Sequence, residues 1–174
     1  MRSVKTNRLL GILLGLLMAA LVYAIYDGIE ERVVGEGDSA PAFTITADNG
    51  RSVSMPHFGG KLLVLNFWAS WCPPCVEETP SLSRLAQHYA DKGVVVLAIS
   101  VDQNEKSYRT FLETYKPAFL TARERKLHED FGTFVYPETY IISANGKVLR
   151  KIAAAADWTA PDAIQYFDGL LQNL

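Results

Sequence analysis

The sequence predicts an α/β domain, a mixed sheet sandwiched by helices, carried behind one apolar N-terminal span. Three observations predict it. The runs at 62–68 and 94–99 are almost wholly apolar and rich in Val, Leu and Ile, as in strands covered on both faces. Segments with helical spacing follow each of them, so successive strands are joined by crossovers and run parallel. Two Asn-Gly pairs, Asn49-Gly50 between alternating segments and Asn145-Gly146 between two apolar ones, mark antiparallel hairpins at either end.

The first element is the span. Residues 9–26 carry no charge, and about 18 residues at 1.5 Å each give roughly 27 Å, close to the hydrocarbon thickness of a bilayer. Arg2, Lys5 and Arg8 precede it, whereas Asp27, Glu30, Glu31, Glu36 and Asp38 dominate after it. Residues 1–8 are therefore expected in the cytoplasm, with the domain on the periplasmic or outer side of a cytoplasmic (inner) membrane crossed once. A cleaved signal peptide competes with this reading, but Val22-Tyr23-Ala24 is a poor cleavage site and a retained anchor is preferred. Either way the domain is exported. Residues 27–37 are charged and contain glycine, as a short stalk does, which leaves 38–174 as one domain.

Within that domain, Phe43-Thr44-Ile45-Thr46 and Ser52-Val53-Ser54-Met55 form the first hairpin. The strand at 62–68 leads to a helix read from Val76 onward, on which Leu82, Leu85, Ala86 and Tyr89 share a face and Pro80 should kink the start. Gly93 separates it from the strand at 94–100. Asp102 or Asn104 then caps a helix whose apolar face is Tyr108, Phe111, Leu112 and Tyr115. A short strand is expected at 118–121, and Leu127 with Phe131 marks a brief helix ending at Gly132. Tyr140-Ile141-Ile142 and Val148-Leu149 make the closing hairpin. The last helix carries Ala163, Ile164, Phe167, Leu170 and Leu171 on one side, with Asp157 or Thr159 near its start and Pro161 in its first turn.

A formal charge of −2 and a pI of about 5.9 show no basic patch, so nucleic acid is not an expected partner. The chemistry is concentrated in Cys72-Pro73-Pro74-Cys75, which holds the only two cysteines of 174 residues and stands where the 62–68 strand gives way to a helix. The free N–H groups and dipole of a helix N-terminus stabilise a thiolate, the attacking species in disulfide exchange. Three other readings compete with a redox pair. As a structural brace, the bridge closes a loop of about four residues and contributes only roughly 2 kcal/mol. As a zinc site it lacks partners, because His57, His88 and His128 are scattered without paired spacing. Coincidence is the third. Export favours the redox reading, since disulfides persist outside the cytoplasm.

The segment Asn66-Phe67-Trp68-Ala69-Ser70-Trp71-Cys72-Pro73-Pro74-Cys75 resembles the active-site segment of the thioredoxin superfamily. Pro80 falls where these proteins kink the active-site helix, and Tyr136-Pro137-Glu138-Thr139-Tyr140 looks like the loop whose proline is cis beside the disulfide. With the span, the Pro41-Ala42-Phe43 entry and the extra helix and strand at about 104–121, the chain is similar to the TlpA/ResA/DsbE-type branch of membrane-anchored thiol-disulfide oxidoreductases. The resemblance covers about 38–174. It implies a thioredoxin-like fold whose mixed central sheet is extended by an N-terminal hairpin and a central insertion.

The resemblance also implies roles. Cys72 would be the nucleophile and Cys75 the resolving thiol of a redox-active Cys72–Cys75 disulfide, with Cys72 the more exposed of the two. Trp71, Tyr136 and Pro137 would meet the substrate, an extended segment lying beside Tyr136, and Trp68 would be core. An ordinary trans proline is the alternative for Pro137. Thioredoxins carry a buried aspartate where this chain has Asn66, so no aspartate there accepts the proton of the resolving thiol. Glu78 resembles an acidic residue that some members keep near the disulfide, and partial burial would raise its pKa for proton transfer; a solvated helix residue is the alternative, as for Glu77. Glu138 resembles a residue that shapes the partner surface in cytochrome-c-maturation members. The expected partners are exported cysteine-containing proteins, apocytochrome c among them, with a transmembrane thiol electron donor and with neither cofactor nor metal. A reductase is preferred over a disulfide oxidant or isomerase, and over an inert anchored scaffold. A peroxidase of related fold is disfavoured, because its reactive cysteine is not usually set in a CxxC.

Overall fold

The computed structural model describes residues 2–30 and 33–173, which divide into two compact units meeting between Val33 and Val34. The first is helix α1, Arg2–Glu30. Its stretch Arg8–Tyr26, 19 residues with mean hydropathy 2.4, is long and apolar enough to cross a membrane. Its Leu, Ile, Met and Val side chains are exposed along the whole stretch, as lipid-facing side chains are. The helix also takes in 27–30, the first residues of the expected stalk; residues 31 and 32 of that stalk lie outside the described residues.

The second unit opens earlier than the boundary expected at 38. Val34 is buried and its N–H donates to the Phe131 carbonyl at 3.1 Å, while Gly37 N–H donates to the Val148 carbonyl at 2.8 Å. Strands β1 (Thr44–Thr46) and β2 (Ser52–Ser54) then pair antiparallel with Ile45 opposite Val53. Gly50 closes their turn at φ +84°, a conformation that costs a residue without Cβ nothing.

The central sheet has five strands in the order β5-β4-β3-β6-β7. Strand β3 (Leu62–Trp68) lies in its middle, parallel to β4 (Val94–Ser100), which is parallel to β5 (Leu120–Arg123). On the other side β3 is antiparallel to β6 (Glu138–Ser143), which pairs antiparallel with β7 (Val148–Ile152). Side chains alternate between faces along a strand. Leu63, Leu65 and Phe67 therefore enter one layer of core with Phe43, Val53, Phe58, Phe131 and Tyr140, and Leu62 and Val64 enter the other with Leu82, Leu85, Tyr89, Trp158 and Phe167. Asn66 has the parity of Leu62 and Val64, which puts its amide on the helix side rather than in the hairpin layer.

Helix α2 (Pro73–Tyr89) begins three residues before Val76. Pro73 costs nothing in the first turn, where its missing N–H would have no helical acceptor. Cys72 is the N-cap, and the helix runs on through Pro80. Its buried residues Cys75, Glu78, Leu82, Leu85, Ala86 and Tyr89 form one stripe at helical spacing, so Glu78 faces the protein and Glu77 faces solvent. Helix α3 (Glu105–Tyr115) is capped by Asn104, whose side-chain oxygen accepts from the N–H groups of Lys106 and Ser107. Strand β5 begins two residues later than the 118–121 expectation, after Ala118 N–H has donated to Ser83 Oγ at 3.2 Å. Helix α4 covers Leu127–Asp130 and α5 covers Pro161–Gln172. The N-cap of α5 is Ala160, and Asp157 instead accepts from the backbone and hydroxyl of Thr159.

Candidate active site

Cys72 and Cys75 are joined in a disulfide with their Cα atoms 5.3 Å apart. Cys72 has extended backbone angles (φ −99°, ψ 103°) and Cys75 N–H points back at its sulfur at 3.3 Å. That N–H is one of the donors a helix start leaves unpaired, so a thiolate at Cys72 meets a ready hydrogen bond and the positive end of α2.

The sulfurs are not open to solvent in this state. Cys72 is 4% exposed and Cys75 2%, so Cys72 is the more exposed of the two by a small margin and both are buried. The cause is the loop opposite. The Tyr136–Pro137 peptide bond is cis, as the resemblance implied, and the Tyr136 carbonyl oxygen lies 3.5 Å from Cys72 Sγ. A disulfide sulfur carries no proton, so this becomes a hydrogen bond only after reduction. Trp71 flanks the same sulfur, 64% exposed, with its ring edge-to-face on Tyr136 at 6.0 Å. Trp68 is core, its ring tilted against those of Tyr108 and Phe111 at 5.9 and 4.3 Å.

A second carboxyl group shapes the turn that presents Cys72. Asp102, 1% exposed, accepts from Ser70 N–H at 2.9 Å, from the Ser70 hydroxyl at 2.8 Å and from the Ser100 hydroxyl at 2.6 Å. The Cys72 N–H closes the turn on the Ala69 carbonyl at 3.2 Å. As a sequence position Asp102 reads only as a helix cap; the signal that could have marked it is a buried strand end followed at once by an acidic residue. Asp102→Ala leaves three donors without an acceptor, and the expected loss is roughly 2–4 kcal/mol of unfolding free energy, measured by urea denaturation of the domain.

Glu78 is 4% exposed. Its Oε1 accepts from Asn66 Nδ2 at 2.9 Å, and its Oε2 accepts from Ala156 N–H at 3.1 Å and Trp158 Nε1–H at 3.2 Å. Asn66 Nδ2 is itself anchored on Thr139 Oγ1 at 2.8 Å. The position filled by aspartate in thioredoxins thus orients a carboxyl group instead of supplying one. Burial pushes the Glu78 carboxyl above the usual glutamate range, against the three hydrogen bonds that pull it down. Glu78 and Cys75 lie three residues apart on the buried face of α2, a spacing at which the Cβ atoms of a helix are about 5–6 Å apart.

Glu138 is also buried, at 4% exposure, and its carboxylate turns inward to Lys151 Nζ at 3.0 Å and the Tyr140 hydroxyl at 2.9 Å. Its side chain therefore lies beneath the outer surface and braces the loop from below. Phe134 and Val135, which the sequence reading passed over, are exposed on that loop. Two large apolar residues just before a Tyr-Pro pair are the signal that could have found them.

The AhpC/TSA family model matches residues 36–151. The thioredoxin-like protein YneN of Bacillus subtilis is 36% identical over 145 residues, spanning 80% of this chain and 85% of that protein. The thiol-disulfide oxidoreductase ResA of Geobacillus thermodenitrificans is 32% identical over 163 residues, spanning 91% of this chain and 92% of that one. Among solved structures, a Chlorobium tepidum protein described as a thiol:disulfide interchange protein DsbE superposes with a TM-score of 0.71 at 28% identity, covering 80% of this chain and 99% of its own.

Proposed function

We propose, from the premise that this chain belongs to the AhpC/TSA family and is a thiol-disulfide oxidoreductase with a thioredoxin-like fold, that it reduces disulfides in exported proteins, apocytochrome c among them. The observation that carries the reading is a disulfide at a helix N-terminus, facing the cis Tyr136–Pro137 loop. In the reduced enzyme the Cys72 thiolate attacks a partner disulfide, forming a Cys72–partner bond and releasing one partner thiol. Cys75 gives its proton to Glu78 and attacks Cys72 Sγ. The second partner thiol leaves, and the Cys72–Cys75 bridge holds the two electrons' worth of oxidation until a transmembrane thiol donor removes it.

Trp71, Tyr136 and Pro137 receive the partner chain, and Glu138 keeps the loop in place through Lys151. Residues 9–26 tether the domain to the cytoplasmic membrane. The basic residues before that span and the acidic ones after it support a domain on the outer side.

The test is capture. The full chain carrying Cys75→Ser cannot resolve its mixed disulfide, so adducts on Cys72 are expected that survive denaturing gels, dissolve in dithiothreitol and yield exported cysteine proteins by mass spectrometry. A variant free of adducts, together with a parent that does not reduce insulin, would rule the reading out.

A further inference from the structure

Residues 153–160 join β7 to α5, and their middle is fastened to α2 at two points. At Glu78, Oε2 accepts from Ala156 N–H at 3.1 Å and from the Trp158 indole N–H at 3.2 Å. At Ser81, three residues on, the hydroxyl accepts from Trp158 N–H at 3.3 Å and has the Glu78 carbonyl at 2.9 Å and the Ala156 carbonyl at 3.3 Å as acceptors for its proton. Trp158 thus meets α2 through both of its nitrogens. It is 1% exposed, with its ring 6.5 Å from that of Phe167. Packing alone would be served by any large apolar side chain. An indole adds a donor that is costly to bury unpaired, and burial does not by itself secure a partner: Trp68 Nε1 is buried with none among the described residues.

We infer that Trp158 is a positioning residue for the resolving step: its indole N–H holds Glu78 as the anion that receives the Cys75 proton, and so sets the acidity at which resolution stops. The inference rests on the exchange chemistry proposed above, with Glu78 as acceptor. In that step the Cys75 S–H bond breaks and its proton passes to Glu78. A Cys75–Cys72 bond forms, and the partner sulfur leaves with the electron pair of the broken Cys72–partner bond. Every group on the Glu78 oxygens is a donor. The indole and the backbone amide can do nothing else, and Asn66 turns its NH2 to Oε1 at 2.9 Å. Donors favour the carboxylate whereas burial favours the acid, so removing one donor moves the balance toward the acid. The titratable groups around Glu78 are Cys75, Glu77 and Arg84 on its own helix and Asp157 on the joining segment, the last three lining with it a cavity of about 390 Å³. The strands beneath present Asn66 and Thr139, neither of them charged. All of these stay in place when Trp158 is replaced, so a Trp158 variant isolates the indole.

The test follows the reduced full chain in lipid nanodiscs as it reacts with dithiobis(nitrobenzoate) between about pH 5 and 9. The first thionitrobenzoate released reports attack by Cys72, and the second reports resolution by Cys75. Trp158→Phe should move the acid limb of the second release up by about one pH unit, making it about tenfold slower on that limb and equal to the parent above it. The first release should keep the parent profile, which also shows that the variant has folded. Benzothienylalanine at position 158 keeps the shape of the indole and lacks the N–H. It should reproduce the shift, and it decides the matter if the phenylalanine variant does not fold. A second release that keeps the parent profile, or an equal change in both releases, overturns the role of Trp158 while leaving the exchange chemistry standing. A parent whose second release matches that of Glu78→Gln at every pH overturns Glu78 as acceptor and this inference with it. A parent that releases no thionitrobenzoate overturns the exchange itself.

Discussion

Replacing Cys72 with serine is expected to remove at least about 10³-fold of the insulin-reducing activity, because a serine hydroxyl stays protonated near neutrality and cannot attack sulfur. The geometry makes the loss specific. Cys75 N–H is aimed at the Cys72 sulfur at 3.3 Å at the N-terminus of α2, so the site stabilises negative charge at that atom. Cys75→Ser should behave differently, retaining the first exchange and losing turnover. Insulin turbidity reports turnover, and a single-turnover assay with a chromogenic disulfide reports the first exchange. If both variants lost the first exchange equally, the assignment of nucleophile and resolving thiol would be wrong.

Glu78→Gln is expected to slow resolution of the mixed disulfide by about 10²-fold, the lower end of what a positioned proton acceptor contributes. The amide matches the shape of the carboxyl group but cannot take a proton from Cys75. It also sets an NH2 group among three donors, from Asn66, Ala156 and Trp158. Stability offers an independent reading. Burial raises the Glu78 carboxyl in the folded protein above its ordinary value of 4.5, so the folded state binds the proton more tightly than the unfolded chain does. Its contribution is fully present below pH 4.5 and is lost as pH rises through the higher folded value. The parent should therefore lose stability relative to Glu78→Gln across that window, followed as the difference in urea midpoints between pH 4 and 8. A difference independent of pH would mean that the carboxyl group ionises as freely in the fold as out of it.

Much of this could be read in advance because the signals are local. The alternation around Asn49-Gly50 and the apolar segments flanking Asn145-Gly146 marked both hairpins, and the apolar runs marked the two buried central strands β3 and β4. Errors fell where two local rules compete. Helix α2 starts at Pro73 rather than at Val76, because in the first turn a proline has no helical hydrogen bond to break. Strand β5 occupies Leu120–Arg123 rather than 118–121, because pairing with β4 sets Leu120 opposite Leu97 and so decides which residues join the ladder. Asp102 and Asn104 were equivalent as caps on paper; Asn104 does the capping because Asp102 is taken up by Ser70 and Ser100.

The order of strands and helices, the apolar span and the presence of a reactive pair at a strand-to-helix junction were settled by side chains acting on their near neighbours, through alternation, turn chemistry and helix-end electrostatics. The state of the site was settled by residues far apart in the chain. Ser70 meets Asp102 across 32 positions, Cys72 meets Tyr136 across 64, and Glu78 meets Trp158 across 80. Those meetings hold the turn before Cys72, cover its sulfur and bury Glu78. No periodicity encodes them, because burial and hydrogen-bond geometry belong to the packed sheet and loops and exist only once distant segments have come together.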